Sequence, residues 1–370
     1  MTRHSLATRV FQTGTDNWFP LEGVTVTMLA DDVEVVIGVD THKQAHTAAV
    51  VDRMGGVAET FEFAAGLSGY RKVLARVAAH GGSRVWGVEG TGSYGAGLTG
   101  FLRGAGERVV EVERPGRPLR RNGAKSDAID AIRAAREVLA SKHQIEPRQR
   151  GEREAVRVLS ATREGAVVAR TKALNHLQAL VVTAPERLRS RLGGLTTTEL
   201  ARHAARLRLS ADRPVEDQAT VRAMRACARR ALACEREADE LETELERILA
   251  GQVPHLLAEP GIGPISAAAI YLAWSHHGRI RNDAAFAALA GVAPIPASSG
   301  QTTRHRLNRG GDRQLNRALH TITLSRLSCH PETQAYATRR LAEGKTPREI
   351  RRCLKRHIAR RIYKLLEHTP

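Results

Sequence analysis

The chain has 370 residues, 42% hydrophobic and 26% charged, which is enough for more than one buried core and too apolar for a disordered protein. Its net charge of +18 favours a polyanionic partner. No apolar stretch is long enough to span a bilayer, the N-terminus lacks a signal-peptide core, and Cys227, Cys234, Cys329 and Cys353 form no CxxC pair, so a zinc ribbon or disulfide framework is disfavoured and a cytoplasmic setting fits.

Residues 1–30 read as a weakly structured extension, with Met28 as an alternative start. Residues 31–146 alternate strand and helix. Strands are expected at Val33–Asp40, Thr47–Asp52 and Val57–Phe63, forming a meander, followed by a helix over Leu67–Ala79 with Leu67, Tyr70, Val73, Leu74 and Val77 at helical spacing. A fourth strand, Arg84–Glu89, a Gly-rich turn and helix to Gly104, a fifth strand, Arg108–Val112, and a helix to about Lys142 complete the domain. The order resembles the ribonuclease H-like α/β fold, with a mixed sheet. Residues 147–252 read as long, coiled-coil-like helices over 150–185 and 215–250, pairing either within the chain or between copies, around a polar segment Arg187–Arg213 without a clear pattern. Residues 253–370 form a mostly α C-terminal domain. In it, Val253–Ile270 reads helix, Gly-x-Gly turn, helix, resembling a helix-hairpin-helix whose Gly261 and Gly263 turn grips a phosphate.

Charge separates the two ends. Residues 1–146 hold 18 Lys/Arg against 17 Asp/Glu, whereas residues 300–370 hold 17 against 5. Nucleic-acid binding therefore leans on the C-terminal region, where Arg304, Arg306, Arg309 and Arg313 follow one another closely and a basic helix (Arg348–Lys364) follows.

The chemistry is expected in the nearly neutral part. Asp40 and Glu89 each end an apolar strand, and Asp127 and Asp130 lie three apart on one helix face. Four such carboxylates make a hard-oxygen cage for Mg²⁺ or Mn²⁺, a pair of which can clamp the attacking and leaving oxygens of a phosphodiester. Lys43 and Lys125 flank these acids and would contact phosphate; His42 reads more simply as a hydrogen-bonding residue. Asp312 reads as a helix cap rather than a ligand. In Pro294-Ile295-Pro296-Ala297-Ser298-Ser299-Gly300, the residue types alone indicate an ordinary turn.

A wider set of motifs changes that weight. Gly38-Val39-Asp40-Thr41-His42-Lys43, Glu89-Gly90-Thr91-Gly92, Lys125-Ser126-Asp127-Ala128-Ile129-Asp130, Pro260-Gly261-Ile262-Gly263, Gly291-Val292-Ala293-Pro294 and Arg309-Gly310-Gly311-Asp312-Arg313 occur in the order seen in DEDD transposases of the insertion-sequence-110 type, which the chain resembles over about 33–330. The resemblance implies a resolvase-like domain with the four acids as ligands of a divalent metal. It also implies a C-terminal transposase domain with a catalytic serine, here Ser299 or its neighbour Ser298. It further implies recombination of donor and target DNA through a phosphoserine intermediate, guided by a bridge RNA. Serine and acids lie some 170 residues apart in sequence, so a homo-oligomer is expected. A metal-dependent endonuclease without a serine nucleophile, or a nucleic-acid-binding protein without catalysis, would leave part of this machinery idle.

Overall fold

A computed structural model describes residues 32–112, 126–141, 144–297, 305–306, 308 and 310–368, which fall into two compact units divided at Pro147/Arg148. The N-terminal unit runs β1 (Val35–Thr41), β2 (Ala45–Asp52), β3 (Val57–Ala64), α1 (Leu67–Ala78), β4 (Arg84–Glu89), α2 (Ala96–Gly104), β5 (Val109–Val112) and α3 (Asp127–Ala140). The sheet order is β3-β2-β1-β4-β5. β1, β2 and β3 pair antiparallel and β4 and β5 join parallel, the mixed five-stranded sheet expected of a ribonuclease H-like domain.

Both faces of β1 are buried because alternate residues enter different cores. Ile37 and Val39 pack with Trp86, Val88, Leu98 and Leu102 beneath α1 and α2. Val36 packs with Val85, Val110, Ala131, Ala135 and Val138 beneath α3. Gly38 lies on the α3 side, where a β-carbon would run into the backbone oxygen of Ala131 and the nitrogen of Ala135. The small residues Ala131, Ala134 and Ala135 complement it, and α3 lies directly on the strand.

The C-terminal unit is helical: α4 (Glu152–Val182), α5 (Glu186–Leu192), α6 (Thr197–Ala205), α7 (Val215–Gln252), α8 (Pro254–Leu257), α9 (Pro264–Trp274), α10 (Asp283–Leu289), a two-residue ribbon of β6 (Ile295–Pro296) and β7 (His305–Arg306), α11 (Arg313–Cys329), α12 (Pro331–Ala342) and α13 (Pro347–His368). α4 and α7 pack against each other within the chain. Arg163 meets Glu242 and Arg170 meets Glu235, so the helices run antiparallel, one advancing seven residues as the other retreats seven. Leu174, Leu177 and Val181 meet Val221, Met224 and Ala228 at the far end.

The segment without a clear pattern holds α5 and α6, whose Leu188, Leu192, Leu200 and Ala204 close that end. A capping box starts α6: the Thr196 hydroxyl accepts from the Glu199 N–H, and the Glu199 carboxylate accepts from the Thr196 N–H. The boundary expected at 252 falls inside this unit. Leu245 and Leu249 of α7 share a core with Ile270, Phe286, Leu319 and Ile362.

α13 spends part of its charge internally. Ile350, Leu354, Ile358, Ile362 and Leu366 form a buried stripe. Arg356 and Arg360 pair with Asp283, and Arg361 with Glu259. Glu259 also accepts from Arg326 at 2.9 Å, both side chains being 8% exposed. Hydrogen bonds from Arg361 and then Arg326 hold the Glu259 carboxyl below its ordinary range despite burial. Its stabilising contribution is therefore present above the unfolded carboxyl pKa of about 4.3 and lost as pH falls through the lower folded value. Arg326→Ala is expected to cost about 3 kcal/mol in urea unfolding at pH 7, the low end for a broken buried pair because Arg361 remains. That deficit should shrink as the pH is titrated down from the unfolded carboxyl pKa of about 4.3 and through the lower folded value, where wild-type Glu259 takes up its proton.

Candidate active site

β1 and β4 run parallel with Val39 opposite Val88. The next residue on each strand is acidic, so Asp40 and Glu89 leave the carboxyl ends of adjacent parallel strands, where open α/β sheets collect their ligands. Asp40 lies two residues beyond Gly38 and so faces α3. The Thr41 hydroxyl ties the two strand ends by donating to the Glu89 carbonyl at 2.9 Å. Gly90 then turns the chain with φ of 66°, a left-handed conformation in which a β-carbon would press on Ser93 Oγ at 2.8 Å.

α3 supplies the third side. Asp127 and Asp130 sit in its first turn, where the helix dipole favours carboxylates. The structure brings Asp40 and Asp127 together through His42, whose Nε2 lies 3.2 Å from Asp40 Oδ2 and 3.5 Å from Asp127 Oδ1. One ligand atom from each of these three residues lies within 4.8 Å of the others. Glu89 and Asp130 fall outside this trio, and Asp130 meets Arg133 at 3.2 Å. Lys43 is exposed in the turn after β1, and Lys125 lies outside the described residues.

His42 hydrogen-bonds as the sequence suggested, but it is also a candidate ligand. The signal was its position two residues after Asp40 at a strand end, which puts both side chains on one face. Its backbone N–H donates to Nδ1 of His46 at 3.2 Å. His46 is fully buried, stacked on Tyr70, and burial pushes its pKa below the ordinary value, consistent with the neutral ring that such an acceptor requires.

The donor set suits a divalent cation. Two carboxylates, one of them only 7% exposed, converge with an imidazole, and a cation would relieve their mutual repulsion. The site opens beside Asp127 into a groove lined by Thr47, Thr60, Phe61 and Glu62.

In the C-terminal unit, the Gly-x-Gly turn joins the four-residue α8 to α9. Gly261 has φ of 76° and packs on Ser325 and Arg326 of α11, whereas Gly263 has open space beside it. Arg306 pairs with Ile295 across the β6–β7 ribbon. Ser298, Ser299 and Arg304, which come between those strands in sequence, lie outside the described residues, as does Arg309. Arg313 begins α11, whose cap is Asp312 as expected: its carboxylate accepts from the N–H groups of Gln314 and Leu315.

A family model described as a transposase of the DEDD IS110 type matches residues 37–184, and one described as the transposase of the IS116/IS110/IS902 family matches 254–338. The chain belongs to the IS110 family of transposases. A Streptomyces coelicolor relative, described as an uncharacterized 43.6 kDa protein of insertion element IS110, is 31% identical over 109 residues, or 29% of this chain. The matched stretch spans 27% of that relative's length. The first IS110 model covers Asp40, Glu89, Asp127 and Asp130, and the second covers the Gly261 turn and the serine segment. Among the described residues, no helix is long and apolar enough to cross a membrane.

Proposed function

We propose that this IS110-family chain is a metal-dependent DNA recombinase that cuts and rejoins donor and target strands. The observation that carries the reading is the convergence of Asp40, Asp127 and His42 at the carboxyl ends of parallel strands, within a stretch matched by a DEDD transposase model. Asp40 and Asp127 would hold Mg²⁺ or Mn²⁺ with His42 beside them, and Glu89 and Asp130 would complete the acidic set. Bound there, such a cation supplies positive charge to the oxygens of a scissile phosphate.

The chain's own groups do the rest. Ser299, or Ser298 beside it, attacks phosphorus: an Oγ–P bond forms, the P–O3′ bond breaks, and the departing 3′-oxygen takes up the proton that the serine gives up. A 3′-hydroxyl of the other duplex then attacks the phosphoserine, and the serine recovers its proton. One phosphodiester is exchanged for another, so no nucleoside triphosphate is consumed. Lys43, Lys125, Arg304, Arg306, Arg309, Arg313 and the Gly261–Gly263 turn position phosphates along the strands. A bridge RNA selects the two DNAs, and a homo-oligomer brings acids and serines to the same phosphate.

The test is incubation with donor and target DNA, Mg²⁺ and the element's noncoding RNA, followed by a denaturing gel. A protein–DNA adduct is expected, and it should be absent in Ser299→Ala. Its persistence in that variant moves the nucleophile to Ser298. Cleavage that survives loss of both hydroxyls makes the enzyme an endonuclease without a covalent intermediate. Separately, His42→Ala is expected to weaken Mn²⁺ binding about tenfold to a hundredfold in a calorimetric titration, the cost typical of losing a residue that orients or supplements carboxylate ligands.

A further inference from the structure

The C-terminal unit holds a cavity of about 270 Å³ between the segment after α10 and the first half of α13. Gly291–Pro294 form an apolar wall, and Arg306, Arg352, Lys355 and Arg356 supply four cationic groups, with no carboxylate among the lining residues. Arg356 is already engaged with Asp283. Lys355 is not so compensated: among the described residues its ammonium donates to the neutral Asn316 Oδ1 at 2.8 Å, and burial pushes its pKa down. Asn316 is itself fixed, its amide donating to the Ala290 carbonyl at 2.6 Å. The neighbouring sequence cannot supply the missing charge, since Gly291 to Gly311 contains no Asp or Glu. A partly dehydrated cation held toward a cavity without a counter-charge is stabilised by an anion that enters it.

We infer that this cavity seats one nucleotide of a single strand, its phosphodiester on Lys355, Arg352 and Arg306 and its sugar or base against Val292–Pro294. Free phosphate would satisfy the cations but leave the apolar wall in water, whereas a nucleotide covers both. The inference rests on nucleic acid being the chain's substrate, but it asks nothing of the acids or the serines. It is therefore tested with the full-length Ser299→Ala protein in EDTA, where failure of the recombination chemistry has no bearing.

Cys353 is a free thiol lining the same cavity, and Cys329, exposed on α11, is an internal reference. Their reaction with neutral N-ethylmaleimide is read per residue by mass spectrometry. A single-stranded oligonucleotide at ten times its Kd should slow Cys353 about tenfold and leave Cys329 unchanged. Parallel DNA and RNA arms of one sequence identify which strand occupies the cavity. Lys355→Gln should abolish the protection and reduce the slope of log affinity against log salt by about 0.7, while Lys355→Arg retains both. Should Lys355→Gln fail to fold, Arg352→Gln, at an exposed position, should show the same loss. Protection by neither strand, equal protection by polyglutamate, or an unchanged salt slope in folded Lys355→Gln overturns the inference.

Discussion

Asp40→Asn is expected to lower DNA strand cleavage by about 10³-fold, a loss of several kcal/mol of transition-state stabilisation of the kind a bound divalent cation supplies. The variant keeps the size and shape of a residue that is 7% exposed, so the fold should survive. What changes is the charge of the acid at the penultimate position of β1, which contacts His42. Asparagine offers a carbonyl oxygen without a negative charge, leaving Asp127 as the remaining carboxylate of the trio with His42. Thermal unfolding separates the two effects. In EDTA the variant should melt at or above the wild-type temperature, because one of two clustered like charges has gone. In saturating Mn²⁺ the wild type should gain stability by mass action and the variant should gain little. An Asp40→Asn protein that cleaves at the wild-type rate would remove this carboxylate from the chemistry.

Much of this site was readable because it depends on strand order. Asp40 and Glu89 stand out where apolar runs stop, and a meander followed by a parallel strand places those two stops side by side. Asp127 and Asp130 follow from helical spacing alone. His42 was harder. Its contact with Asp127, 85 positions on, depends on how far α3 slides along β1, which no local pattern encodes. The basic helix at the C-terminus shows the same limit. Composition gives its charge, but Arg356, Arg360 and Arg361 find Asp283 and Glu259 about 70 to 100 residues upstream only after the core has packed. Composition thus does not show these internal pairs along α13, nor the cavity at Lys355, which has no carboxylate among its described lining residues. The long helices posed a different problem, since their amphipathic stripes fit a partner in the same chain or in another copy equally well. The Arg163–Glu242 and Arg170–Glu235 pairs show the association within the chain.

Gly38→Ala should be a severely damaging single-methyl change in the N-terminal unit. The glycine sits mid-strand with ordinary extended backbone, so conformational freedom is not its reason for being there. Space is: the added carbon would penetrate the backbone of α3 at Ala131 and Ala135, and a third neighbour, Ala135 Cβ, would lie at 2.9 Å. Backbone cannot rotate away as a side chain can, so α3 must lift from the sheet and open the core of Val36, Val85, Val110 and Val138. Overpacking commonly costs 1–3 kcal/mol, and a clash with helix backbone should exceed that, at about 4 kcal/mol in urea unfolding. The same displacement carries Asp127 away from Asp40 and His42, because α3 begins at Asp127 and moves as a rigid rod. Cleavage should therefore fall at least about tenfold even where denaturant and temperature keep the variant fully folded, since misplacement by about 1 Å is enough to cost that much. Gly87→Ala is the matched control. It lies on the neighbouring strand and faces the same helix, but its nearest obstacle is the Val138 side chain at 2.6 Å. A side chain can yield, and Val138 sits three turns from Asp127, so this variant should lose stability and retain cleavage. Equal activity of folded Gly38→Ala and Gly87→Ala would show that the spacing of α3 on β1 does not set the position of the acids.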